Sequence, residues 1–285
     1  PAAGQTGSTA IAHDAPAFKA WATQITATRG PVDINDPAGV KPTTGNASLA
    51  TGPATLDVFD VISLGDGGIA TATFANSITN GSGADFAIFE NSFGSTFLEL
   101  AFVEVSSNGS DFFRFDAVSL TQTTTQVATF NTLDPTDIHN LAGKYRVGFG
   151  TPFDLDELDG VSALLDVDAV THVRVMDVVG RITSAPGNPG WSPSVDSLGN
   201  IINDPYSTPF STGGFDLEAI GVIHTIPEPT TGVMLLGVAA VGLIKRHQKR
   251  NTFGQCVSAD TLDACRAGGR DGHDSHISHR KGEDR

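Results

Sequence analysis

The sequence predicts an all-β protein, a jelly-roll-like antiparallel β-sandwich, on three observations. Charged residues make up only 17% of the 285-residue chain, whereas Gly (32) and Phe (17) are plentiful, a balance that favours strands over charged amphipathic helices. From Leu56 onward, short apolar runs recur between turn clusters. Those clusters, GDGG (65–68), NGSG (80–83), SNGSD (107–111) and TGG (212–214), suit turns that need positive φ.

Taken in order, residues 1–14 read as a loose N-terminus. Ala15–Thr28 reads as a short N-terminal helix, since Phe18, Trp21 and Ile25 fall on one face. Predicted strands are Val58–Leu64, Ile69–Phe74, Asp85–Phe89, Leu98–Ser106, Phe112–Ser119, Gln126–Phe130, Thr171–Val179 and Phe215–His224. Single helical turns are expected within Asp134–Gly143 and at Leu155–Leu158. The proline-rich stretch Pro186–Pro209 reads as a long ordered loop, the kind that often carries function. The sandwich domain is thus expected over residues 15–225.

The charge is uneven. Residues 1–225 hold 8 Lys+Arg against 25 Asp+Glu, and residues 245–285 hold 9 against 6. An acidic body repels phosphate backbones, so nucleic acid is excluded as a partner. Both cysteines, Cys256 and Cys265, lie in the tail, so the body has neither a disulfide nor thiolate chemistry.

Residues 226–250 read IPEPTTGVMLLGVAAVGLIKRHQKR. Pro227 and Pro229 bracket Glu228 and stop a strand, because proline donates no ladder hydrogen bond. An uncharged apolar run, Thr230–Ile244, follows, and the basic cluster Lys245, Arg246, Lys249 and Arg250 ends it. This order predicts a C-terminal hydrophobic helix that holds the chain at a membrane, with the basic end cytoplasmic. Residues 251–285, rich in Gly, Asp, Arg and His, read as a disordered tail.

Pro-Glu-Pro, apolar segment and basic cluster together resemble the PEP-CTERM sorting signal of Gram-negative bacteria. The resemblance implies an exported protein recognised by an exosortase-type processing enzyme, with Pro227, Glu228 and Pro229 at the sorting signal. The blocks ADFAIFENSF (84–93), LELAFVEVSSNGSDFFRF (98–115), HNLAGKYRVGFGTPFDL (139–155), THVRVMDVVG (171–180) and GGFDLEAIGVI (213–223) resemble a group of exported bacterial cell-surface proteins. That likeness implies a place at the cell envelope, cell surface or extracellular matrix.

Acidic and amide side chains supply the candidate sites. Asp85, Glu90, Asn91, Asp196, Asp204 and Asp216 are the candidate ligands of a structural Ca²⁺, a hard ion that takes six to eight oxygens. Turn-forming Asp and Asn are the plainer account of the loop members. Glu90 and Asp216 lie in apolar strands, where an unpaired carboxylate is costly. They call for Arg174, Arg146, Lys144, a backbone N–H or a metal ion. Trp191 and Tyr206 are the candidates to stack on sugar rings. The sequence holds no G-x-S-x-G elbow, H-E-x-x-H pair or phosphate loop, so the expected function is non-catalytic. The reading is a surface or matrix component associated with exopolysaccharide; the alternatives are a carbohydrate-binding module and a glycan-active enzyme.

Overall fold

The computed structural model describes residues 1–226. Strands there are β1 (Ile11–Ala12), β2 (Ala20–Trp21), β3 (Gln24–Thr28), β4 (Ile62–Ser63), β5 (Ile69–Ile78), β6 (Phe86–Glu90) and β7 (Ala101–Ser106). They continue with β8 (Phe113–Arg114), β9 (Val118–Ser119), β10 (Ile138–His139), β11 (Phe149–Phe153), β12 (Val170–Asp177) and β13 (Asp216–Val222). Three short 3₁₀ turns, at 135–137, 155–158 and 167–169, are the helical elements among the described residues.

One sheet runs β1-β11-β6-β13-β2, with β4 also paired to β13; the other runs β3-β5-β12-β7-β8. A separate ribbon joins β9 to β10. Each of these pairings is antiparallel. The two larger sheets share one core. Phe86, Ile88, Leu217, Ile220 and Val222 from the first pack with Ala70, Ala72, Val103, Val105, Val173 and Val175 from the second. Phe86 stacks on Phe153 at 5.4 Å, and Phe115 closes on Phe153 at 5.1 Å. Each such buried large side chain contributes roughly 1.5–3 kcal/mol relative to exposure.

Alternation explains the strands. In β12, Val170, Val173 and Val175 face the core, while Thr171, His172, Arg174 and Met176 are half-buried. Arg174 joins Arg114 in holding Glu104 of β7, and their guanidinium groups lie over the rings of Phe112 and Phe102.

Two expectations fail here. Ala15–Thr28 is not a helix: Ala20–Trp21 pairs with β13, and Gln24–Thr28 pairs with β5. Thr23, Ile25, Thr26 and Thr28 are β-branched and fit an edge strand better than a helix. Phe18 and Trp21, read as a helix face, instead close on each other at 4.8 Å and on Phe89 on the outer side of the first sheet. Residues 1–14 are not loose either, because Ala2 is buried, β1 pairs with β11, and Tyr145 Oη accepts from the Thr9 N–H. The expected C-terminal hydrophobic helix and the tail lie outside the described residues. Among those described, no helix is long and apolar enough to cross a membrane.

Candidate functional site

Four loops converge at one end of the sandwich around a cleft of about 110 Å³. Phe59 comes from the loop before β4, Phe93 and Phe97 from the β6–β7 loop, Phe130 from the β9–β10 loop and Phe210 from the β12–β13 loop. Phe59, Phe93, Phe130 and Phe210 are 70%, 72%, 73% and 41% exposed. Among the described residues they are the only phenylalanines that stand out as exposed, and all four line this cleft. Phe130 stacks on Phe210 at 5.6 Å and tilts toward Phe97 at 6.3 Å.

These loops are pinned. Thr129 Oγ1 donates to the Ser207 carbonyl at 2.7 Å, and the Thr43 and Thr44 N–H groups both donate to the Ser211 carbonyl. Leu133 N donates to Thr96 O at 2.7 Å, tying the Phe130 loop to the Phe97 loop. The rim is therefore held before any ligand arrives, which lowers the ordering cost of binding.

Below the rim the cleft turns acidic. Glu99 and Asp216 line it, together with Asn91 and the threonines Thr44, Thr129, Thr208 and Thr212. Asn91 Nδ2 donates to Asp216 Oδ2 at 3.2 Å, and Ser63 Oγ donates to the other Asp216 oxygen. Behind them Glu90 accepts from the Ser92 N–H through Oε2, while its Oε1 is buried without a partner. Glu218 and Asp204 each also keep one buried oxygen without a hydrogen bond. Asp66 and Asp177 extend the acidic group inward; Asp66 accepts from Thr208, and Asp177 from the Gly67 and Phe215 N–H groups.

Seven buried or cleft-lining carboxyls thus lie together. Burial, reinforced by their mutual repulsion, drives Glu90 and Glu99 well above the usual carboxylate range. Burial does the same to Asp204, with Asp177 and Asp66 adding repulsion. Asp177 is pushed up to about 8, Asp216 and Glu218 to about 7, and Asp66 to about 6, in each case chiefly by desolvation.

The basic residues go elsewhere. Arg174, expected as a partner for Glu90 or Asp216, holds Glu104; Lys144 donates to the Ile138 carbonyl, and Arg146 stacks over Phe149. Arg29 draws Asp216 down electrostatically, but its guanidinium is spent on the carbonyls of Pro42, Thr44, Gly45 and Ser63.

The expected calcium set does not assemble as one site. Asp85 accepts from the Gly81 and Leu155 N–H groups and pairs with His224 at 2.7 Å. Asp196 is a turn acid that accepts from the N–H groups of Ser119, Leu198 and Asn200. Asp204 accepts from Leu100 N. Glu90, Asn91 and Asp216 do come together. Among the described residues no group of three His, Cys, Asp or Glu side chains is arranged to hold a metal ion. Trp191 and Tyr206, the stacking candidates, stand elsewhere. Trp191 packs with Ile34, Val179 and Ala185, and the Tyr206 hydroxyl donates to Asp33 while accepting from Arg181. Neither lines the aromatic cleft.

Sequence reasoning missed Glu99 and the whole phenylalanine rim. A usable signal existed: Phe93 and Phe210 stand in NSFGST and STPFST, flanked by turn formers and without apolar neighbours.

Residues 225–250 match the PEP-CTERM protein-sorting motif. No curated protein and no solved structure matches the chain. The motif makes this an exported protein of the cell envelope or surface, with a C-terminal segment that serves for exosortase processing.

Proposed function

We propose that this exported chain is a non-catalytic surface protein whose β-sandwich binds polysaccharide in the phenylalanine-rimmed cleft. The observation that carries this reading is the gathering of the four exposed phenylalanines among the described residues around one opening. Leaving such side chains in water forfeits roughly 1.5–3 kcal/mol each, so their concentration on one rim calls for a ligand. Sugar rings offer apolar C–H faces to aromatic rings. Their hydroxyls donate to carboxylates such as Glu99 and Asp216 and exchange hydrogen bonds with the threonines.

Strand order supports a jelly roll. One sheet interleaves β2-β13-β6-β11 and the other β5-β12-β7-β8, as successive Greek keys require. The cleft then lies among the loops at one end, where sandwiches commonly display binding residues.

The full chain in detergent is tested by titration against a panel of oligosaccharides. Phe130→Ala should weaken binding at least about tenfold, a loss of about 1.4 kcal/mol, without lowering the melting temperature. Unchanged affinity for every bound sugar would remove the cleft from the reading. A glycan-active enzyme is the second reading, favoured by two carboxyls with raised pKa in one cleft. It requires release of new reducing ends that Glu99→Gln abolishes; on the binding reading none are released.

A further inference from the structure

We infer that the saccharide held by this cleft is cationic, a polymer with free protonated amino groups, and that Glu99 and Asp216, backed by Glu90, receive one ammonium. The inference rests on the polysaccharide-binding reading and narrows it to one chemical class.

Charge complementarity carries it. Glu99 and Asp216 line the cleft, and Glu90 stands behind them with one buried oxygen that no protein donor reaches. The ion pairs among the described residues engage Glu104 and Asp85, and none reaches this group. A concave site walled by one sign of charge and low-dielectric rings focuses its field on a counter-charge. The rim suits the same guest, since the faces of Phe93, Phe130 and Phe210 can attract an ammonium as well as stack on a sugar ring. A neutral sugar would fill hydroxyl-bonding positions but offer the buried carboxyls no counter-charge, whereas an ammonium pairs with them and favours their ionised form. A bare divalent ion would need six to eight oxygens, and the acids here are not arranged as a metal site.

An ammonium has three donors. Asp216 already accepts from Ser63 and Asn91, so it is fixed in place. Among the described residues no hydrogen bond reaches the Glu99 carboxyl, which leaves both its oxygens to the guest. Glu99 is thus the side chain whose loss should cost most.

The test compares three oligosaccharides of equal length on the full chain at about pH 7, where a simple amine is still protonated and Asp216 begins to ionise. They are an oligoglucosamine with free amines, its N-acetylated counterpart and a neutral glucose oligomer. Expected is a preference for the free amine of roughly tenfold or more. Glu99→Gln should remove that preference, whereas Phe130→Ala should weaken all three in parallel. Asp216→Asn serves as a second variant, and thermal melting shows that each variant is folded.

Equal binding of the three, or a preference that survives Glu99→Gln, overturns the inference and leaves the polysaccharide reading standing. If no sugar binds, that reading fails and the inference falls with it. If Ca²⁺ alone raises the melting temperature and Glu99→Gln abolishes the rise, the acids are a metal site, and the inference is likewise overturned.

Discussion

At the scale of the residue, the acidic group makes a prediction about pH. An acid whose folded pKa lies above its unfolded value binds more protons in the native state. Its stabilising contribution is complete below the ordinary carboxylate value of about 4 and is lost as pH rises through the folded value. The loss is complete near pH 6 for Asp66, near 7 for Asp216 and Glu218, and near 8 for Asp177. Asp196 works the other way. Burial alone would raise it, but hydrogen bonds from Asn200, Ser119 and Leu198 outweigh that and hold it low, so its contribution fades in acid. The ligand-free protein should therefore melt at a higher temperature near pH 5 than near pH 8. A scan in which the melting temperature climbs steadily toward pH 8 would contradict the burial assigned to these carboxyls.

Elements show how backbone geometry sets the position of Glu99. Gly143 adopts φ +82°, and a Cβ there would sit 1.8 Å from the Glu99 carbonyl oxygen. The turn before Lys144 is thus pressed against the chain that leads into β7. Gly143→Ala should destabilise the fold by about 2 kcal/mol or more, read as a lower denaturant midpoint at constant m. In what remains folded, displacement of Glu99 should reduce oligosaccharide binding further than the Phe130→Ala change does.

Much of the element plan was legible in the residues. Leu98–Ser106 and Phe215–His224 contain the strands found there, and Ile69–Phe74, Asp85–Phe89 and Thr171–Val179 overlap β5, β6 and β12, because β-branched and aromatic runs between glycine turns permit little else. Gln126–Phe130 did not become a strand. Its backbone and side chains bind the 180–207 region instead, with Val127 N on Asn203 Oδ1 and Gln126 on Gly180. β11 escaped notice because Phe149–Phe153 contains Gly150 and Pro152, two poor strand residues tolerated beside β1 and β6. For the site, Glu90, Asn91 and Asp216 were visible as polar residues in or beside apolar strands. The rim was not, since its members are separated by long stretches of chain and a phenylalanine carries no mark of which way it faces.

Across the whole molecule, the sorting motif and the aromatic cleft belong to different parts of the chain. The sorting motif occupies residues 225–250, and the cleft is built within residues 44–216. Replacing Pro227, Glu228 and Pro229 with alanine should leave oligosaccharide affinity unchanged while blocking processing. Immunoblotting of cell fractions should then show an unprocessed form accumulating in the membrane, and normal maturation would separate these three residues from sorting.

β13 sits inside its sheet, hydrogen-bonded to β6 on one side and to β2 and β4 on the other. A central strand that is also the last one among the described residues makes completion of this sheet a late event. Until Asp216–Val222 is available, β6 has an open edge and the Leu217, Ile220 and Val222 side of the core is missing. During synthesis the sorting motif follows at Thr225, almost as soon as β13 has been made. The order of synthesis therefore sets closure of the first sheet just before the sorting motif is made.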